Sequence, residues 1–124
     1  MLGWHVSVYR QVEGRDKPAA FDSEQGDCLA MWQADVWGLD WLDTLVKFGM
    51  GVDLGGTGYP LRYTVPAEHV VPVLVHGIPN VREIWHVGEG VPLPGWKGKT
   101  TIDWTKLKKC EPGEWLLVEA WDES

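Results

Sequence analysis

From Trp4 to Val12 the chain alternates: Trp4, Val6 and Val8 fall on one side, His5, Ser7 and Tyr9 on the other. This period of two predicts a half-buried strand. Glu13 to Gly26 is polar and broken by Gly14, Pro18 and Gly26, which predicts a loop, with Ala19, Ala20 and Phe21 touching the body of the protein. Cys28 to Ala34 reads as a second strand. Trp41, Leu42, Leu45, Val46 and Phe48 then recur at helical spacing, with Asp40 placed as an N-cap, Asp43 in the first turn and Gly49 as the stop signal.

Asp53 to Gly58 predicts a glycine-rich turn, followed by a strand over Tyr59–Val65 with Tyr59, Leu61, Tyr63 and Val65 on one face. Pro66 suits a helix start, but Pro72 removes a helical hydrogen bond, so the expectation is a helical turn over Pro66–Val71 and an extended piece through Val75. Val81–Val87 is a strand candidate and Gly88–Gly98 a loop. Asp103 is a second N-cap, with Trp104 and Leu107 facing inward. The nearly unbroken apolar run Trp115–Trp121 predicts a central strand covered on both faces. About five strands and two or three short helices, without βαβ alternation, predict an α+β fold: a mixed or mainly antiparallel sheet with helices packed on one face, in a single globular domain over residues 1–124.

Composition narrows the class. At 124 residues and 44% apolar, the chain is long enough to build a core without disulfide or metal staples. Cys28 and Cys110 make neither a disulfide framework nor a C-x-x-C pair and read as small buried hydrophobes. The expected location is the cytoplasm, with no membrane span, since no apolar run approaches the required length. Eighteen acidic against eleven basic residues give a net charge of −7, which disfavours general nucleic-acid binding; its plain reading is solubility and its sharper one a surface shaped for a basic partner. Nine tryptophans are too many for a domain of this size to bury completely. Trp4, Trp32, Trp41, Trp104, Trp115 and Trp121 fall on predicted elements; Trp37, Trp85 and Trp96 are the positions to search for function.

Candidate chemistry is sparse. Gly55-Gly56-Thr57-Gly58 precedes a strand and carries no lysine, so it is neither a Walker loop nor a dinucleotide fingerprint. A backbone anion nest beside Arg62 and a tight hairpin turn both remain open, the hairpin being the simpler reading. His76 and His86 flank a Gly-Ile-Pro-Asn turn with Glu83 nearby, but the spacing is not that of a metal site, and no cofactor is implied. Three readings follow. The first is a protein-interaction or inhibitor-type module, motivated by small size, acidity and surplus tryptophan. The second is a small-molecule binder with walls from Trp37, Tyr59, Trp85 and Trp96 and polar groups from Arg62, His76, Glu83 and His86. The third is polyanion binding through the lysines of Lys97–Lys109.

Overall fold

The computed structural model describes residues 3–78, 86–87, 91–92 and 100–122. It is an α+β fold. Six antiparallel strands form the main sheet: β1 (Trp4–Gln11), β2 (Gln25–Ala34), β3 (Val52–Gly56), β4 (Leu61–Pro66), β7 (Thr101–Ile102) and β8 (Trp115–Asp122), in the order β3-β4-β8-β1-β2-β7. The short strands β5 (His86–Val87) and β6 (Val91–Pro92) pair with each other. The helices are α1 (Asp40–Lys47), α2 (Ala67–His76) and α3 (Trp104–Leu107).

The alternation in β1 becomes two different faces. Val6 pairs across to Trp32 on β2 and to Ala120 on β8; Val8 pairs to Ala30 and Val118. Beyond β8, Tyr63 and Val65 continue this face opposite Val118 and Leu116. The helices supply Leu42, Ala67, Val70, Leu74 and Leu107 to the same buried cluster, so all three pack on this side. Tyr63 also donates to Asp43 Oδ1 at 3.0 Å, tying α1 to the sheet; burial raises its phenol pKa, and the charge of Asp43 adds to the shift.

Helix ends follow local chemistry. Asp103 caps α3, accepting from the Lys106 amide at 3.0 Å. The N-cap of α1 is Leu39 rather than Asp40, which is the first helical residue. After α1, Gly49 at φ 77° lets its amide reach Val46 O at 3.0 Å while Met50 N reaches Leu45 O at 2.8 Å. These two bonds are the Schellman stop that the glycine foreshadowed.

Several expectations are corrected. The segment expected as a turn contains strand β3, and the chain reverses after it. The helix α2 runs unbroken through Pro72. Its stripe Ala67, Val70 and Leu74 lies buried on the core, and this burial outweighs the lost hydrogen bond. Its first amides are satisfied from outside, Ala67 N by Glu114 O and Glu68 N by Pro112 O. Trp104 is 45% and Trp121 41% exposed rather than inward, because α3 is a single turn that buries Leu107 and the end of β8 is uncovered on its second face. Of the candidate strand Val81–Val87, only His86–Val87 is described; residues 81–85 lie outside the described residues.

The second face is crossed by residues 12–24, the segment joining β1 to β2. Ala19 N donates to Thr64 Oγ1 at 3.0 Å, and Thr64 Oγ1 donates to Leu116 O at 2.9 Å. Gln11 Nε2 reaches both Lys17 O and Trp115 O at 2.9 Å, and Trp115 N donates to Arg15 O at 2.7 Å. We expect Thr64→Val to leave the buried Ala19 amide unpaired and to cost about 1–3 kcal/mol. Urea unfolding gives the loss, and faster hydrogen exchange at Ala19 localises it to this strap.

Candidate functional site

Glu119 interrupts the apolar run of β8 and lies on the second face of the sheet. Its register neighbours are Ser7 on β1 and Arg62 on β4. Although charged, it is only 1% exposed. Burial of a carboxylate demands partners, and three donors supply them. Arg62 Nη2 donates to Oε2 at 2.5 Å, Gln25 Nε2 donates to the same oxygen, and Trp121 Nε1 donates to Oε1 at 3.3 Å. Tyr9 lies beside this group. Burial raises its phenol pKa; a hydrogen bond with Ser7 opposes the rise and the charge of Glu119 adds to it.

Arg62 carries the cluster outward. Its Nη1 donates to Phe21 O and, at 3.3 Å, to Ser23 O, while its guanidinium carbon sits 5.4 Å from the centre of the Phe21 ring. Phe21 is thus fixed by its carbonyl and on one ring face, yet 44% exposed. The glycine loop contributes by absence of a side chain. At Gly56, with φ 125°, an added Cβ would lie 2.2 Å from Pro60 O and 3.2 Å from Phe21 Cε2. Around Arg62 opens a shallow recess of about 600 Å³ bordered by Phe21, Asp22, Glu24 and Pro60.

A second region of exposed apolar side chains lies where α1 leads into the same edge strand. Phe48 is 68%, Met50 44% and Val52 40% exposed, and all three fall between the end of α1 and the start of β3. The outer face of α1 carries Asp40, Asp43, Thr44 and Lys47, all exposed. Along β3 a bulge separates Asp53 from Gly55, and Asp53 Oδ1 accepts the Gly55 amide at 2.7 Å. This bulge and local bond blunt the strand edge against pairing with another chain.

A further ion pair lies elsewhere. Arg10 grips Glu114 through Nε–Oε2 at 2.6 Å and Nη2–Oε1 at 2.9 Å, and reaches Lys109 O at 3.2 Å. It fastens the turn before β8 onto β1. Burial pushes the Glu114 pKa upward, but the hydrogen bond and charge of Arg10 outweigh it, and the net shift is downward.

The residues predicted from sequence fare unequally. Arg62 lies at the centre of the buried cluster. Tyr59, 59% exposed, precedes Pro60 at the recess. Arg62, weighed as the side chain beside an anion nest, is occupied by Glu119 and backbone carbonyls, and the glycine loop lies between the antiparallel strands β3 and β4, in keeping with the simpler hairpin reading. Trp37 is 62% exposed but sits before α1, its amide donating to Asp35 Oδ1 at 2.9 Å. His76 is exposed at the end of α2. Glu83, Trp85 and Trp96, and the side chain of His86, lie outside the described residues, as do Lys97 and Lys99. Lys106 stands 3.8 Å from Asp27 and 4.0 Å from Asp103. Glu119, Gln25, Phe21 and Trp121 were not singled out; the one signal was a lone carboxylate within an apolar strand. Cys28 and Cys110 are free, half-buried thiols whose pKa values burial raises.

Comparison with family models, with curated proteins and with solved structures finds no match to this chain.

Two outcomes follow from the ion pairs. Glu119→Gln leaves the Arg62 charge uncompensated and is expected to cost roughly 3–5 kcal/mol, whereas the combined Glu119→Leu and Arg62→Met replacement recovers a large part of that loss in urea titrations. Because its folded pKa lies below the unfolded value of about 4.3, Glu114 contributes stability fully above that pH and loses it as pH falls through the folded pKa. Glu114→Gln is therefore expected to flatten the acid limb of a stability–pH profile below about pH 4.5.

Proposed function

We propose that this chain is a protein-interaction module of the inhibitor type that binds a basic partner across the β3 edge of its sheet. One observation carries the reading. Phe48, Met50 and Val52, where α1 leads into β3, and Phe21 and Tyr59, on the strap and in the β3–β4 turn, are all exposed by at least 40%. Aromatic residues and methionine are the types enriched at the cores of protein interfaces. An apolar edge of this kind invites self-association, and the bulge at Asp53 opposes its strand-pairing form. Asp40 and Asp43 on α1 and Asp53 on β3 bring exposed carboxylates to the same stretch of chain, against one exposed base, Lys47, and the chain as a whole carries −7. Charge of that sign steers a basic partner and repels a second copy.

The small-molecule reading draws support from the recess at Arg62. Its other polar candidates do not gather there: His76 is on α2, and Glu83 and the side chain of His86 are not described.

The test begins with proteins isolated on the immobilised chain from the cells that make it, each then purified and titrated. A true partner weakens at least about tenfold with Phe48→Ala, as a central anchor should, and weakens further with rising salt. At this exposure Phe48→Ala should change folding stability by no more than about 0.5 kcal/mol, so loss of binding is separable from unfolding. Interactors indifferent to Phe48→Ala, Met50→Ala and Tyr59→Ala alike would overturn the reading.

A further inference from the structure

The strap of residues 12–24 lies against the second face of the sheet with almost no core of its own: among these residues only Ala19 is fully buried. What holds the strap is polar. Wherever a group of the sheet hydrogen-bonds to it, the strap atom is a main-chain atom. Trp115 N donates to Arg15 O and Gln11 Nε2 to Lys17 O, Thr64 Oγ1 accepts from Ala19 N, and Arg62 Nη1 donates to Phe21 O and Ser23 O. The contacted residues, Arg15, Lys17, Ala19, Phe21 and Ser23, alternate along the strap. Its side chains add a bond from Arg15 Nε to Gln11 O and the Phe21 ring on Arg62. The face thus reads a peptide backbone, with a size limit at the one position where Ala19 is 5% exposed.

The sheet closes without the strap. Strands β1, β8 and β4 pair along their lengths independently of it, and the helices pack on the opposite face. A segment with so few buried apolar contacts opens at a lower free energy than the core beside it. Opening exposes Thr64 and Gln11, which are 0% and 4% exposed beneath the strap. It also frees Arg62 Nη1 on a side chain whose buried Nε–H already has no acceptor among the described residues.

We propose that this face is a docking site for the main chain of a peptide segment, and that the strap occupies it in cis as an autoinhibitory segment. The ligand class is a peptide with alanine or glycine at the position over Thr64. Main-chain bonds supply the affinity and the buried position the selectivity, as when a peptide is recognised through its backbone. With the strap closed, the apparent affinity for a peptide in trans is reduced by the fraction of molecules that are open. The site lies beneath the strap and does not depend on the reading of the β3 edge.

Hydrogen exchange on the unmodified protein is the first test. The amides of Ala19 and Trp115, one on the strap and one bonded to it, should exchange together and about 100-fold or more faster than those of Val6 and Val118 within the sheet. Exchange of both only with the sheet would overturn the proposal, since the strap would then not open by itself. The second test titrates the blocked peptide acetyl-Arg-Asp-Lys-Pro-Ala-Ala-Phe-Asp-Ser-amide, the sequence of residues 15–23, into the unmodified protein and into Ala19→Glu, with amide shifts followed by NMR. A charge at this buried position lifts the strap; where Ala19→Glu does not fold, the oversized apolar Ala19→Leu takes its place. The peptide should bind the variant about tenfold or more tightly than the unmodified protein, with shifts at Arg62, Thr64 and Trp115. N-methylation of the peptide at the Ala19 position removes the donor to Thr64 and should abolish binding. Serine in place of its lysine and first aspartate should change the affinity less than about threefold. No binding to the variant, equal affinity for both proteins, shifts elsewhere, or indifference to N-methylation would each overturn the proposal.

Discussion

Insertion of β8 between β1 and β4 is the constraint on which the sheet depends. The last long strand of the chain pairs along its whole length with the first, from Trp4–Asp122 to Arg10–Leu116, and on its other side with β4. Without it β1–β2 and β3–β4 are separate hairpins, each too small to be stable alone. Leu116, Val118 and Ala120 close the helical core, while Leu117 and Glu119 are buried beneath or beside the strap. The sheet is therefore built from contacts distant in sequence, and its closure requires chain entropy to be lost before most of the core forms.

That position explains how a carboxylate is tolerated in the middle of the sheet. Glu119 sits where β1, β8 and β4 lie side by side, so a donor from an adjacent strand, Arg62, reaches it across the register and Gln25 reaches it from the start of β2. Cross-strand pairing of opposite charges is favourable, but the desolvation of both ions removes much of the gain. The pair consequently contributes more to geometry than to stability. Arg62, held at one end by Glu119, fixes the carbonyls of Phe21 and Ser23 at the other. The buried ion pair thus determines where the strap lies and which of its side chains faces solvent.

Much of the fold was legible in the sequence because its signals were local. Alternation marked β1, β4 and their buried faces; Gly49 marked the end of α1; Asp103 marked the start of α3. The six-stranded sheet holds two strands that were not expected: β3, which hides in a glycine-rich stretch where backbone pairing with β4 rather than side-chain pattern makes the strand, and the two-residue β7 on β2; of the expected strand Val81–Val87, the described residues His86–Val87 pair with β6 instead. The unbroken α2 was not legible because Pro72 is a strong local signal overruled by a tertiary one, the burial of Val70 and Leu74. Trp121 misled for a similar reason: an apolar run shows that a strand is central, not where its cover ends. Of the site, Arg62 and Tyr59 were legible from their place beside the glycine loop. Glu119 was not, since its meaning depends on two residues remote in sequence, Gln25 and Arg62, that only the sheet brings within reach.

The edge strand β3 shows how exposure and specificity coexist. Its flanks carry five exposed apolar side chains, which alone would favour indiscriminate association. The Asp53 bulge occupies the Gly55 amide, so a foreign strand finds an interrupted ladder. In the proposed interaction, recognition falls to side chains, and side-chain recognition discriminates by charge. Asp53, Asp40 and Asp43 near one flank and Asp22 and Glu24 near the other place negative charge on both sides of the edge. Two copies brought together along it would oppose like carboxylates, while a basic surface would meet complementary ones. On the proposed interaction reading, the same arrangement that blunts strand addition favours a partner whose charges answer these carboxylates.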